Sequence, residues 1–412
     1  MLASIAFMVF FFFSLIFIYG RVRRKVISLS PLEILLAFGC KVLMGCLYGY
    51  VFQRFYGGDD TWILHAGSID EYNKLMTRPG QFFADFDLTA SFRRNEGFAA
   101  GWYYLLSDLE FWTITKPLAI FNMYSRGNYY VNVVFFNLLT FWGQYLVFKL
   151  FTARFPHHRR LIFLLTFFLP AACFWLSGLR PDAWIMVSMG VALYYFHAWL
   201  HGNKTKHLLL FLAGLAGLVI LRSPVLLVLI PGLAAWLIAE KTGRKPLPVF
   251  LIVYGAAVAL VFGSAYLSPN MNMLTYIVHR QQEFLQLKGN TVFELNALEP
   301  TAGSFIATLP QAFVNTFLRP YPWEASGALQ WMASMETMLI LVLIAAAFVY
   351  GRNQGWTTSP LVWLSIFFGL GLYLFIGYTV PFPGAIVRYK TIPELLFILA
   401  ISMRMRTHRK NI

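Results

Sequence analysis

Long apolar runs recur from one end of the chain to the other, and they constrain its fold more than any other feature. The hydrocarbon core of a bilayer is about 30 Å thick, so a helix needs about 20 apolar residues to cross it. Of the 412 residues, 58% are hydrophobic and 12% are charged. We therefore expect an all-α polytopic membrane protein, a single transmembrane domain over residues 1–412 with about eleven spans. The expected spans are residues 2–19, 32–52, 128–151, 161–176, 182–200, 207–222, 224–239, 247–267, 328–350, 360–380 and 388–403.

Charge is distributed unevenly between the loops. The net charge is +15, and the basic residues collect in alternate short loops, at residues 21–25, 154–160, 201–207, 240–245, 351–354 and 404–410. The positive-inside rule places such loops in the cytoplasm. Glu240 is the only one of the 18 acidic residues that falls in these loops. The charge pattern thus predicts an outside N-terminus and a cytoplasmic C-terminus, and it argues against a nucleic-acid-binding surface.

Two long loops, residues 53–127 and 268–327, face the outer side in this topology. Residues 97–122 are too apolar for a solvated loop and too charged for a span, and residues 271–287 have apolar positions at helical spacing. Both patterns indicate amphipathic helices that lie in the membrane interface. The cytoplasmic loops are too short for a nucleotide-binding domain, so any chemistry is expected on the outer face.

Two adjacent carboxylates open the first outer loop. Asp59 and Asp60 follow Gly57 and Gly58, just after the second expected span. One interpretation is a glycine turn in which Asp60 or Thr61 caps an interfacial helix over about 61–76. The other is a carboxylate held at the membrane surface as a general base or as a metal ligand.

A second motif, Ser177-Gly178-Leu179-Arg180-Pro181-Asp182, joins two spans at the outer surface. Gly178 can close the fourth span, and Pro181 suits the first turn of the fifth. The positive end of that helix, together with Arg180, forms a natural phosphate site. A capped turn with an Arg180–Asp182 surface pair is the alternative.

Two further motifs place cations at the outer surface. Arg319 begins the segment Arg-Pro-Tyr-Pro-Trp-Glu that ends at Glu324, and Arg388-Tyr389-Lys390 precedes the last span. An anion would account for cations that run against the positive-inside bias. The alternatives are an interfacial aromatic belt for the first motif and a Lys390–Glu394 helix pair for the second.

Only Lys41 and Glu336 lie deep within expected spans, at similar depths. Buried charges in a membrane are functional hypotheses by default, but a structural bridge between these two is the simpler interpretation. His65 lies near Asp60, yet the outer loops have no further cluster of His or Cys. We therefore assign no residues as metal ligands, although a divalent cation remains an open alternative as a cofactor.

Carboxylates and arginines thus converge on one face from four parts of the chain. The layout resembles the C-type (GT-C fold) glycosyltransferases, polytopic enzymes that use polyprenyl-phosphate-linked sugars. Gly58-Asp59-Asp60-Thr61-Trp62 looks like the acidic outer-loop element of that superfamily. The other motifs, together with Lys41 to Gly45 and Tyr48-Gly49, are similar to those of uncharacterised bacterial membrane proteins often grouped with it. In the superfamily the acidic loop usually follows the first span, whereas here it follows the second.

The resemblance implies an inverting transfer of a sugar from a polyprenyl-phosphate donor to a glycan or lipid acceptor, at the outer face of a bacterial inner membrane. Carried over by position, Asp60 is the candidate base and Asp59 the second candidate. The phosphate would be held by Arg388, Arg319 and Arg180. Further substrate-binding candidates are Lys390, Asp182, Tyr389, His65 and Glu324.

Three other functions stay open. An O-antigen polymerase or ligase would depend on its arginines more than on an acid. A lipid or glycan transporter would carry broken helices and charges at the membrane midplane, where this chain has only Lys41 and Glu336. A non-catalytic subunit of an envelope assembly is the third.

Overall fold

The computed structural model describes residues 2–23, 25, 28–85, 87–94, 97–266, 272–287, 291–325, 327–351 and 358–405. The regular structure of these residues is entirely helical, which confirms the predicted all-α class. The chain divides into two compact units, residues 1–223 and 224–412.

The helices of the first unit are α1 (Leu2–Val22), α2 (Pro31–Tyr56), α3 (Asp60–Thr77), α4 (Pro79–Ala84), α5 (Ala90–Arg94), α6 (Phe98–Ser125), α7 (Tyr129–Arg154), α8 (Arg159–Phe168), α9 (Pro170–Trp175) and α10 (Pro181–Gly202). Helix α11 (Thr205–Thr242) continues past the boundary. The second unit adds α12 (Pro246–Gly263), α13 (Met273–Leu285), α14 (Ala302–Phe317), α15 (Ala328–Tyr350), α16 (Pro360–Thr379) and α17 (Pro383–Ser402).

Eight helices in the described part of the chain are long and apolar enough to cross a membrane. They are α1, α2, α7, α10, α11, α12 (with the short turn after it), α15 and α16. A multi-pass helical membrane protein is therefore supported, while the count of about eleven spans and the orientation stay predictions. The segments predicted as outer interfacial helices are helical, as α3, α6 and α13.

Helix α7 is the centre of the first unit, and it contacts α1, α2, α6, α8 and α10. Small residues let it approach α10 closely. A Cβ atom at Gly143 would lie 2.6 Å from the backbone nitrogen of Val187, and one at Gly190 would lie 2.4 Å from the carbonyl oxygen of Gly143. Such glycines at helix crossings are typical of membrane bundles, where packing replaces the hydrophobic effect as the driving force.

The expected span 161–176 is not one helix. Leu169 has extended backbone angles before Pro170, so α8 ends and the short α9 begins there. After α9, residues 176–180 form no helix before α10 begins at Pro181. Proline removes a backbone donor and disfavours helical geometry in the residue before it, which explains the break at Leu169.

The non-helical segment 176–180 is buried, so its peptide groups need partners from within the protein. Side chains of three helices supply them. Lys41 Nζ donates to the Leu176 carbonyl oxygen, and Asn137 Nδ2 donates to the Ser177 carbonyl oxygen at 2.9 Å. The Leu179 N–H donates to Thr61 Oγ1 at 3.2 Å. The charge of Lys41 thus has a structural role in the first unit, and its expected pairing with Glu336 of the second unit stays a prediction.

The predicted break near Arg222-Ser223-Pro224 lies where the backbone departs from helical geometry. Helix α11 spans 38 residues, and Arg222 within it has φ −165° and ψ 85°. At 1.5 Å per residue, an unbroken helix of that length would be about 57 Å long, nearly twice the hydrocarbon thickness. Two helical segments meeting at Arg222 therefore fit the apolar sequence better than one crossing does.

In the second unit, α16 packs along α17 and against α14, α12 and α13. Helix α17 begins at Pro383, five residues before the expected span. Arg388 and Lys390 therefore lie within the helix, where the sequence had suggested its outer end.

Candidate functional site

The turn before α3 forms because two glycines can adopt left-handed backbone angles. Helix α2 ends at Tyr56, and Gly57 and Gly58 have φ values of 69° and 99°. Asp59 then caps α3, since its Oδ1 accepts the N–H of Thr61 at 2.9 Å. The expectation that Asp60 or Thr61 is the cap is wrong, because Asp60 is already the first residue of the helix.

The extended segment 176–180 carries Arg180 to this turn. Gly178 does not close a helix as expected, because α9 already ends at Trp175. Its role is steric, since a Cβ atom there would lie 2.8 Å from the ring of Tyr48. Pro181 begins α10 as predicted, and Arg180 stands at its N-cap position.

Arg180 joins the two sequence motifs. Its Nη1 lies 2.5 Å from Asp59 Oδ2, and its Nη2 lies 2.5 Å from Asp60 Oδ2. The Tyr48 hydroxyl donates to Asp59 Oδ2 at 3.0 Å and accepts from Arg180 Nη1 at 2.5 Å. One guanidinium therefore binds both adjacent carboxylates, a fork geometry for which arginine is suited.

The members of this cluster differ sharply in accessibility. The side chain of Asp60 is 61% exposed, that of Asp59 is 16% exposed, and that of Arg180 is 3% exposed. The carboxylate of Asp60 is therefore accessible, and it is held by Arg180, which also binds the less exposed Asp59. This arrangement suits a group that must accept a proton or bind a cation in one defined orientation.

Asp182 and Arg222 extend the cluster. Asp182 is buried, and its oxygens lie 3.7 Å from Arg180 Nε and 3.7 Å from Arg222 Nη1. The expected surface pair between Arg180 and Asp182 is therefore a buried contact. With three carboxylates and two guanidinium groups, the cluster carries a net formal charge of −1.

Tyr48 and Arg222 were not among the site residues predicted from the sequence. Arg222 had a detectable signal, because it is the one charged residue between residues 208 and 239 and it lies two positions before a proline. Tyr48 belonged to one of the stretches that carry the resemblance, Tyr48-Gly49, but nothing in the residues indicated that its hydroxyl would contact a charged group. Its hydroxyl matters only because residues 176–180 bring Arg180 beside it.

His65 lies behind the cluster and not at its surface. Its Nε2 is 3.2 Å from the Gly127 carbonyl oxygen, and its Nδ1 is 3.4 Å from Asn132 Nδ2. Burial lowers the pKa of His65, and the contact with the Gly127 carbonyl opposes that shift only in part. The neutral ring donates through Nε2 and accepts through Nδ1, so the histidine holds α3 to α7. Its predicted role in substrate binding stays untested.

The third motif forms a closed turn in the second unit. Arg319 Nη2 lies 2.5 Å from Glu324 Oε1, and its guanidinium stands 3.5 Å above the ring of Phe293. Burial raises the pKa of the Glu324 carboxyl, but hydrogen bonds from Arg319 and the Tyr321 N–H outweigh burial and leave the pKa below its usual value. Arg319 and Glu324 thus hold each other, and their binding of a phosphate stays a prediction.

The fourth motif is divided between a buried pair and a more accessible one. Lys390 and Glu394 are buried, their charged atoms are 3.3 Å apart, and both residues line a cavity of about 10 Å³. The Tyr373 hydroxyl also donates to Glu394, at 2.8 Å. Arg388 is half-buried, with its guanidinium 5.0 Å from the ring of Tyr389. Of this motif, Arg388 and Tyr389 are the side chains that a ligand could reach.

No group of three or more His, Cys, Asp or Glu side chains in the described part of the chain is arranged to hold a metal ion. These residues therefore offer no obvious set of ligands for the divalent cation considered from the sequence, and metal dependence has to be measured.

The first unit thus brings together Asp59, Asp60, Arg180 and Asp182, and it adds Tyr48 and Arg222. Arg319, Glu324, Arg388, Tyr389 and Lys390 belong to the second unit. Comparison with models of protein families, with curated proteins and with solved structures found no match. The likeness to the C-type glycosyltransferases accordingly stays a resemblance.

Proposed function

We propose that the chain is a membrane glycosyltransferase that moves a sugar from a polyprenyl-phosphate donor to a hydroxyl of a glycan or lipid acceptor on the extracytoplasmic face. The observation that carries the proposal is the exposed carboxylate of Asp60, which lies 2.5 Å from the guanidinium of Arg180, a residue whose side chain is 3% exposed. Asp60 follows the apolar helix α2 by four residues, and Arg180 directly precedes the apolar helix α10. At such a position a membrane-dissolved donor and an acceptor hydroxyl can meet.

In this proposal Asp60 is the general base. It takes the proton of the acceptor hydroxyl as the acceptor oxygen bonds to the anomeric carbon of the sugar. The bond from that carbon to the phosphate oxygen breaks, and polyprenyl phosphate leaves with the electron pair. Direct attack inverts the anomeric centre, in keeping with the inverting transfer that the resemblance implies.

Arg180 acts in this scheme through Asp60. Its buried guanidinium is already bound to two carboxylates, so it is better placed to orient the base than to hold a phosphate. Arg222 is the more accessible cation of the cluster, with 21% of its side chain exposed. Arg222 is therefore a further candidate phosphate contact, in the same cluster as Asp60, since charge on the departing phosphate requires a cation.

Turnover in lipid nanodiscs tests the role of Asp60. Purified protein would be incubated with polyprenyl-phosphate sugars and acceptor glycans extracted from a bacterial envelope, and mass spectrometry would follow the release of polyprenyl phosphate. Asp60→Asn keeps the shape and removes the base, so release should fall by at least about 100-fold. Asp70→Asn is the matched control, because Asp70 is exposed on the same helix.

Unchanged turnover by Asp60→Asn would contradict the proposed base and favour a polymerase or ligase that depends on arginines. Lipids that co-purify in mild detergent provide a second test. Polyprenyl phosphate or its sugar conjugate should accompany the wild type and be lost from Arg388→Ala. If both proteins carried bulk phospholipid alone, the glycosyltransferase proposal would lose its donor, and a transporter or an assembly subunit would become the better explanation.

A further inference from the structure

A second polar site lies at the other end of α2 from Asp59. An open pocket of about 870 Å³ is formed where α2 begins, α7 ends and α8 begins. This volume is within the range of pockets that bind small ligands. Its lining residues are Ser28, Ser30, Glu33, Thr152, Ala153, Pro156, Arg159 and Arg160.

One wall of the pocket is fixed. Arg159 donates to both oxygens of Glu33, at 2.6 and 2.8 Å, and to the carbonyl oxygen of Ser28 at 3.0 Å. Glu33 also completes a capping box with Ser30 at the start of α2. These contacts tie the beginnings of α2 and α8 together, so the pocket keeps its shape without a ligand.

The other wall of the pocket includes two polar side chains, Thr152 and Arg160, that are not part of this hydrogen-bond network. Thr152 is 4% exposed, and its hydroxyl has no hydrogen-bond partner among the described residues, although it lines the pocket. A buried hydroxyl without a partner is costly, which points to a ligand that accepts its hydrogen bond. Arg160 is exposed in the first turn of α8, where the helix dipole also attracts anions.

Charge and surroundings indicate the class of ligand. One carboxylate and two guanidinium groups line the pocket, so its net formal charge is +1. The helices that form it continue into exposed apolar surface, with Leu32, Leu35 and Leu36 on α2 and Leu164 on α8. A ligand there can place a phosphate in the pocket and hydrocarbon along these leucines.

We propose that this pocket binds the phosphate of an anionic phospholipid headgroup. Arg160 provides the charge, Thr152 donates a hydrogen bond to a phosphate oxygen, and the leucines contact the acyl chains. The basic loops at this end of the helices are predicted to be cytoplasmic, where anionic lipids attract cationic protein surfaces. This inference does not rest on the proposed glycosyl transfer, because the pocket contains none of the residues assigned to that reaction.

Native mass spectrometry of the full chain in mild detergent tests the site, with phosphatidylglycerol, phosphatidylethanolamine and glycerol 3-phosphate as probes. The wild type should retain phosphatidylglycerol in preference to phosphatidylethanolamine. Arg160→Gln should weaken that retention about fivefold, the effect of one cation near a lipid phosphate. Thr152→Val should weaken it as well, and Arg160→Lys should restore most of it.

Arg154→Gln is the control, because Arg154 is exposed nearby at the end of α7 and does not line the pocket. Equal losses for Arg154→Gln and Arg160→Gln would overturn the proposal in favour of diffuse surface charge. No preference for phosphatidylglycerol and no binding of glycerol 3-phosphate would also overturn it. Binding of glycerol 3-phosphate that Arg160→Gln abolishes would support the phosphate site and identify a water-soluble source.

Discussion

Arg180 Nη2 lies 2.5 Å from Asp60 Oδ2, although 120 residues separate the two in the chain. The contact joins the first residue of α3 to the N-cap of α10, and it includes Asp59 through the same guanidinium. Because Arg180 is buried and Asp60 is exposed, Arg180 can hold Asp60 in place while the Asp60 carboxylate stays accessible to other molecules. The neighbouring Asp59 is much less exposed than Asp60, so the two carboxylates should have different roles.

The two aspartates should differ in their effect on stability. Asp59→Ala removes the cap of α3 and the partner of Tyr48 and Arg180, so the free energy of unfolding should fall by about 2 kcal/mol or more. Asp60→Ala removes an exposed member of an ion pair and should cost less than about 1 kcal/mol. Denaturant unfolding in detergent, followed by tryptophan fluorescence, measures both. Equal losses would show that Asp60 is structural.

Asn137 should be necessary for the non-helical segment. Asn137→Leu keeps the volume and removes the donor to the Ser177 carbonyl, which leaves a buried acceptor without that hydrogen bond. We expect the free energy of unfolding to fall by about 1–3 kcal/mol. Asn73→Leu, at an exposed position of α3, should change it by less than about 0.5 kcal/mol. A loss no larger than that of the control would mean that the segment does not depend on this donor.

Two glycines of α2 should respond to alanine in opposite directions. At Gly45 a Cβ atom would lie 2.5 Å from the Ser177 carbonyl oxygen, whereas at Gly39 it would lie 3.8 Å from the ring of Phe11. Gly45→Ala should destabilise the protein by about 1–3 kcal/mol through overpacking. Gly39→Ala should be neutral or stabilise it by up to about 1 kcal/mol, because alanine favours the helix. Thermal unfolding of the two variants compares them directly.

Stability should depend on pH through His65. Its pKa in the folded state is lowered by burial from the usual value of 6.5. As pH falls below 6.5, the unfolded chain takes up a proton before the folded chain does, so the free energy of unfolding falls until the folded-state pKa is passed. His65→Gln should be less stable at neutral pH and should lose this slope between pH 7 and 5. His279→Gln, at an exposed position, should keep it.

Much of the fold could be predicted from apolar runs and breaker residues. The helices α3, α6 and α13 lie where a glycine turn, mixed apolar and charged character, and helical spacing respectively indicated them, and Pro181 begins α10 as expected. These predictions succeed because they depend on local features, such as apolar length, caps and proline geometry. Their boundaries agree with the structure to within a few residues.

The contacts of the site could not be predicted in the same way. The sequence placed a turn between the fourth and fifth expected spans, at residues 177–182, and residues 176–180 are indeed non-helical. Hydropathy gives no sign of which side chains this turn contacts. Lys41 was recognisable as an unusual buried charge, but its partner is a backbone carbonyl, which carries no signal in the sequence. The contact of Arg180 with Asp59 and Asp60 depends on that same non-helical stretch. Local sequence patterns indicate which residues are unusual, whereas contacts between them depend on the three-dimensional arrangement of the helices.

The donors to residues 176–180 have an order in the chain that bears on how the protein is made. Lys41, Thr61 and Asn137 all precede the segment that needs them. A chain synthesised from its N-terminus therefore contains all three donors before residues 176–180 are made. In a circularly permuted chain with this segment ahead of α2, residues 176–180 would be synthesised before the side chains that hydrogen-bond to them. The order of the helices in the chain thus bears on the folding of this buried segment, in addition to the composition of each helix.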